Sequence, residues 1–269
     1  MKRFRVKIMP ALAILVTGII ILISSAVNSM NMPIGDLPGW KQIFAQDFGT
    51  PAALGHISEV YGEDMRGYSR IRDTSRNGIY TPDRVLSVSG GTLDYYLHTA
   101  GGNPRVASVV PFGYEGQIYG RYSIRFRSDF LPGYKIAFLL WPVSENWNEG
   151  EIDWPEGDLN GKMSPASAIK GSFDNGAMAF DPPTHSYSPT DSSDWHVATT
   201  EWTPGKVKWF WDGVLVSETT LPSGVPTTKF RWTWQAETEL GSDAPFPDPR
   251  TAGHVQVDWA LQYAYAPSQ

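Results

Sequence analysis

The sequence predicts an all-β protein, a β-sandwich or jelly roll, and three observations carry that expectation. From about Gly35 onward, short runs of β-branched and aromatic residues recur, each bounded by Gly, Pro, Asn or Asp. No stretch has a comparable helical periodicity. In "KVKWFWDGVLVSE" the pair Asp212-Gly213 separates two alternating segments, the pattern of a two-residue hairpin whose turn residues both need positive φ. The 26 Gly and 21 Pro fit many strands joined by tight turns. With 269 residues and 41% hydrophobic content, one domain of this class can bury its own core.

Taken in order, the chain starts with a basic stretch, "MKRFRVK", followed by an uncharged apolar run from Ile8 to Val27. Positive charge ahead of an apolar run is the pattern of an export signal. The run is also long enough to cross a bilayer, and Ser24 and Ala26 offer small residues for a peptidase. Residues 1–30 are therefore expected to be an export signal or a signal anchor, with the remainder outside the cytoplasm or at the cell surface. Residues 31–269 are expected to form one domain, a monomer, touching membrane only through that segment. "NMPIGDLPG" reads as a short spacer after it.

The expected strands follow as "VLSVSGGTLDYYLH", "GRYSIRFRS", "KIAFLLWPV", "GEIDWPEG", "SAIKGSFDN", "WHVATTEWTPGKVKWFWDGVLVSET", "KFRWTWQAE" and "HVQVDWALQYAY". "LGSDAPFPDPRTAG" reads as a long irregular loop, a feature that often borders a binding site. The formal net charge is −6. Setting aside Lys2, Arg3, Arg5 and Lys7 leaves a more acidic body, which has no electrostatic footprint for nucleic acid. The chain has no cysteine, so disulfides, cysteine nucleophiles and thiolate metal sites are excluded. Nucleotide-binding glycine loops and a Gly-x-Ser-x-Gly elbow are also missing from the sequence.

The chemistry concentrates in "GEIDWPEGD", positions 150–158. On a strand, Glu151 and Asp153 point the same way, whereas Glu156 lies an odd step from Glu151 and should point the other way. A one-residue bulge turns Glu156 back, and Pro155, which has no N–H for the ladder, tolerates that interruption. Two carboxyl groups about 5–5.5 Å apart suit retaining glycoside hydrolysis, one as nucleophile and the other as acid and then base. Asp153 between them is expected to raise the proton affinity of a neighbouring glutamate by like-charge repulsion. A solvated acidic loop is the alternative from these residues alone.

"LLWPVSENWNEGEIDWPEG" resembles the catalytic strand of glycoside hydrolase family 16, in which Glu, an aliphatic residue and Asp precede a second Glu by one or two positions. The form here has two intervening residues, like the bulged laminarinase-type branch. "GWKQIFAQDF", "GRYSIRFRS", "DWHVATTEWTPGKVKWFWDG" and "VQVDWALQY" continue the likeness, which spans roughly Leu37 to Tyr265. Trp154-Pro155 departs from the aliphatic residues of the family's bulge.

The resemblance implies a two-sheet antiparallel, concanavalin-like jelly roll with a cleft on its concave face, and an endo-acting, retaining hydrolase of a β-linked polysaccharide. By position, Glu151 is the expected nucleophile, Glu156 the acid and base, and Asp153 the residue that steers the nucleophile. A transglycosylase using the same intermediate, and a non-catalytic carbohydrate-binding module, are the competing readings.

Trp141 and Trp147 are candidates for stacking on sugar rings. In "KFRWTWQAETE" alternation separates Arg231, Thr233 and Gln235 from Phe230, Trp232 and Trp234; which face meets the cleft is left open, and Trp232 and Trp234 are candidate substrate contacts. His196 is a candidate near the cleft by resemblance. His56, His98, His185 and His254 have no paired ligand spacing, so no catalytic metal is expected. The chemistry requires no cofactor. The resemblance allows a structural calcium, with Asp258 as its candidate ligand or simply an acid on an exposed strand face.

Overall fold

Strands dominate the regular structure in a computed structural model, which describes residues 32–182, 186–241 and 244–267. The expected export segment, residues 1–30, lies outside the described residues. In chain order the strands are β1 (Trp40–Gln46), β2 (Met65–Arg66), β3 (Ile79–Tyr80), β4 (Leu86–Ser89), β5 (Thr92–Ala100) and β6 (Asn103–Pro111). There follow β7 (Gly120–Ser128), β8 (Tyr134–Pro142), β9 (Ile152–Asp158), β10 (Ser164–Ala168) and β11 (Phe180–Asp181). The last are β12 (His196–Thr203), β13 (Lys206–Trp211), β14 (Val214–Thr219), β15 (Phe230–Thr238) and β16 (Gly253–Tyr265). Two short helices, α1 (Ile57–Tyr61) and α2 (Pro82–Val85), complete the elements used here.

The strands form two antiparallel layers joined where β5 turns into β6. One layer runs β11-β10-β9-β8-β15-β6, and the other runs β5-β16-β7-β12-β13-β14 with β1 beside β16 and β4 beside β5. This is the all-β jelly-roll sandwich expected from the strand pattern. Asp212 and Gly213 both take positive φ, 51° and 78°, and join β13 to β14 as the expected two-residue hairpin.

Two strand expectations change. "NPRVASVVP" forms β6, although it lacks alternation; it is buried on both faces along most of its length, so its outward parity carries no polar signal. "SAIKGSFDN" continues as strand only to Ala168, because Lys170 and Gly171 enter a turn.

Large rings fill the space between the layers. Phe126 of β7 meets Phe138 of β8 at 5.8 Å and Trp211 of β13 at 5.8 Å between ring centroids. Trp202 packs on Phe230 at 5.4 Å. Burying each such ring contributes about 1.5–3 kcal/mol, which makes the two layers a single stiff support for whatever projects from their outer faces.

Candidate active site

The outward face of the β8-β9-β15 layer carries the carboxylates. Ala137 of β8 pairs with Glu156 while Leu139 pairs with Asp153, so β9 has one residue more than β8 across that interval. β10 shows the same offset, with Ser164 opposite Glu156 and Ala166 opposite Asp153. The bulge falls at Trp154-Pro155, as the odd spacing predicts, and turns Glu156 onto the face of Glu151 and Asp153. Ile152 and Trp154 point the other way, into the core, where Trp154 meets Trp211 at 5.8 Å.

Glu151 begins this run from a tightly specified backbone. A single 3-10 turn, Trp147–Glu149, is capped by Asn146, whose side chain accepts from the Asn148 N–H. Gly150 then takes φ 114° and ψ −179°, a conformation essentially confined to glycine, and a Cβ there would also lie 3.0 Å from Pro226. The Glu151 carbonyl accepts from the Ala168 N–H at 2.9 Å, tying it to the chain at the end of β10. Its side chain meets Trp147, whose indole N–H donates to Oε2 at 2.6 Å.

A cleft of about 930 Å³ lies over these residues. Glu151, Asp153 and Glu156 line its floor, with Trp141 and Trp147 at one side and Thr233, Gln235 and Glu237 supplied by β15. Trp141, Trp147 and Phe173 form an aromatic run, with successive centroids 6.3 and 5.3 Å apart. Trp141 is fixed by an indole N–H donated to Glu145 at 2.9 Å, and Glu145 is held in turn by Arg231 at 2.6 Å. Flat apolar rings beside a carboxylate floor match the two faces of a pyranose, C–H surfaces and ring-edge hydroxyls. Leu240, at the start of the long irregular loop, also lines the cleft.

The carboxylates do not share one environment. Burial pushes the Glu151 carboxyl up to about 8, the charge of Glu156 adds to the rise, and the Trp147 hydrogen bond opposes it. Burial likewise raises Asp153 well above the usual carboxylate range, with repulsion from Glu151 and Glu156 following. Burial, rather than the Asp153 charge, is therefore the first cause of the raised glutamate. Among the described residues no N–H or O–H reaches the buried Oδ1 of Asp153.

Glu156 instead accepts from the buried Lys135 ammonium at 2.6 Å. Burial alone would lower the Lys135 proton affinity, but Glu156, then Glu237 and Asp153, raise it overall. Glu237 accepts from the Thr74 hydroxyl at 2.8 Å and from the Tyr80 hydroxyl. Lys135 and Glu237 are missing from the sequence reading. Both were within reach of it, because Lys135 shares strand parity with Trp141, and Glu237 shares it with Thr233 and Gln235.

Three placements correct the expectations. Trp232 and Trp234 lie in the core between the layers, packed on each other at 5.0 Å; the cleft face of β15 belongs to the Thr233 parity. His196 sits on β12 of the opposite layer, where it bonds Asp212 at 2.6 Å and stacks on Trp211, away from the cleft lining. Asp258 does not fit a calcium ligand, because the Arg125 guanidinium occupies its carboxylate at 2.5 Å. Trp141 and Trp147 do line the cleft.

A jelly roll with an aromatic-walled cleft over three carboxylates defines a carbohydrate-active protein. Residues 74–261, well over half of the chain, match the profile of "Glycosyl hydrolases family 16", and the chain belongs to that family. It is a glycoside hydrolase. Solved structures share the fold. The laminarinase from Rhodothermus marinus superposes with a TM-score of 0.69 at 21% identity, covering 86% of this chain and 99% of that one. LamAcat from Zobellia galactanivorans gives 0.65 at 16% identity, covering 82% and 97%. A GlcNAcα1-4Gal-releasing endo-β-galactosidase from Clostridium perfringens gives 0.65 at 16%, covering 88% of this chain and 66% of that one. No curated protein sequence matches the chain.

Proposed function

We propose that the protein is an exported, retaining endo-glycosidase that hydrolyses a neutral, β-glucan-like polysaccharide through a glycosyl-enzyme intermediate. One observation carries the reading: the bulge at Trp154-Pro155 brings Glu151, Asp153 and Glu156 onto one face of β9, inside an aromatic-walled cleft. In this reading Glu151, in its carboxylate form, attacks the anomeric carbon, guided by the Trp147 N–H. Glu156 protonates the leaving oxygen and later takes the proton from the attacking water.

The cleft's charge supports a neutral chain. Among the described residues that line it, five, Glu145, Glu151, Asp153, Glu156 and Glu237, are acidic, against Lys135 as the one base, and Lys135 is already paired. A sulfated or uronate-rich polymer would meet repulsion there. The laminarinases that share the fold support a β-glucan over other β-linked chains. An open cleft favours internal cleavage. Export rests on the basic start and the apolar run Ile8–Val27.

Mass spectrometry of products tests the reading, after incubating the protein and its Glu151→Gln variant with laminarin, mixed-linkage glucan, galactan and a sulfated galactan. Shortened oligosaccharides from a neutral glucan, absent with the variant, are expected. Elongated products would replace hydrolysis by transglycosylation, and binding without new products would overturn the enzymatic reading.

A further inference from the structure

We propose that Glu145 is a positioning residue for substrate binding: held by the buried Arg231 guanidinium, it fixes the Trp141 ring as a platform for a sugar unit. This rests on the glycosidase reading above.

Both oxygens of the Glu145 carboxylate are engaged. Oε1 accepts from Arg231 Nη1 at 2.6 Å, and Oε2 accepts from the Trp141 indole N–H at 2.9 Å. The two donors are neighbours because the register of β15 on β8 sets Arg231 directly opposite Trp141. Arg231 is a fixed anchor. Its side chain is 2% exposed, its Nη2 donates to the Tyr68 hydroxyl at 3.0 Å, and its guanidinium lies 5.1 Å from the Tyr114 ring centroid. Tyr68 also lines the cleft, so one guanidinium ties down two parts of the wall.

Glu145 closes the turn after β8, its N–H donating to the Pro142 carbonyl at 3.1 Å. It does so at φ 61°, a left-handed conformation that Gly, Asn and Asp adopt more readily than Glu. Its side chain is 62% exposed and has little packing of its own to secure. What it secures is Trp141, which lines the cleft half-buried. The Trp141 N–H goes to Glu145 and the Trp147 N–H to Glu151, so this wall meets a sugar through ring faces rather than through donors. A stacking face binds best when it is already in place before the ligand arrives. Without Glu145 the substrate itself has to order the ring, which weakens binding by about two- to tenfold.

The test is steady-state kinetics of wild type, Glu145→Asn, Trp141→Phe and the double variant on a β-glucan oligosaccharide, with folding checked by circular dichroism and thermal melts. Asn suits the positive φ, but it offers one acceptor oxygen on a shorter arm and cannot hold both partners. Glu145→Asn is expected to raise KM about fivefold while kcat stays within about twofold of wild type. In the Trp141→Phe background, whose ring has no N–H for Glu145, the same change should move KM by less than about twofold. An unchanged KM in folded Glu145→Asn would overturn the role. So would an equal rise in the Trp141→Phe background, or a fall in kcat without a rise in KM. If wild type cleaves no glycan, the glycosidase reading fails first and this inference falls with it; if wild type is active, only the inference is at stake.

Discussion

Two ion pairs of almost equal burial sit on opposite outer faces of the sandwich. In the cleft, Lys135 and Glu156 are 6% and 27% exposed; across the molecule, Arg125 and Asp258 are 5% and 23% exposed. Each joins a buried base to a partly open acid. What surrounds them differs. Arg125 lies against Trp195, 4.8 Å from the ring centroid. Lys135 faces several acids beneath a cleft of about 930 Å³. A buried ion pair alone says nothing about chemistry. Surplus carboxylates that must share protons, with room for a ligand above them, do.

The comparison can be broken most severely at Glu151. Replacing it by Gln is expected to lower turnover by about 10⁴-fold or more with the fold intact, measured as reducing ends released from the substrate glucan. Near-normal turnover would remove the distinction between the two faces.

Trp147→Phe keeps a ring in the cleft but loses the N–H that meets Glu151. Loss of a hydrogen bond to a charged group costs about 1.5–3 kcal/mol, so kcat/KM is expected to fall about tenfold or more. If kcat/KM stays at the wild-type value, the indole N–H does not help position the nucleophile.

Stability against pH sharpens the contrast. The unfolded Glu151 carboxyl loses its proton near 4.5, whereas the folded one holds it to about 8, so the folded state binds more protons between those values. Stability should therefore fall as pH rises through that window. Thermal melts of Glu151→Gln should show a shallower decline than wild type, whereas an equal or steeper decline would contradict the raised proton affinity.

The smallest catalytic effect is expected at the outer pair. Asp258→Ala leaves Arg125 buried without its partner and should cost about 1–3 kcal/mol in urea unfolding, while changing kcat/KM by less than about twofold. A large activity loss in the folded variant would couple the outer face to the cleft.

Much of this was legible in the sequence, and the exceptions have physical reasons. The odd step from Glu151 to Glu156 with Pro155 inside it announced the bulge, because strand parity leaves no other way to gather the three acids. Asp212-Gly213 announced its hairpin through the backbone angles it needs. Parity sorts side chains into two sets but does not say which set meets solvent. Trp232 and Trp234 were thus separable from Thr233 and Gln235, yet their burial depended on rings of the facing layer such as Tyr122 of β7, 5.3 Å from Trp232. Lys135 shows the same limit from the other side: its parity with Trp141 was readable, its bond to Glu156 required the β8-β9 register. The doubly buried β6 had no alternation to read.

The central claim is that Glu151 forms the covalent intermediate and Glu156 handles the proton. The most direct measurement is peptide mass spectrometry of the Glu156→Ala variant, quenched during turnover of a glucan oligosaccharide carrying an activated aryl leaving group. That leaving group needs little protonation, so the first half of the reaction proceeds and the second is slowed for want of a base. A single glycosyl mass on Glu151 is the predicted result. A sugar attached elsewhere, or aryl release with inverted product and no attached sugar, would contradict it.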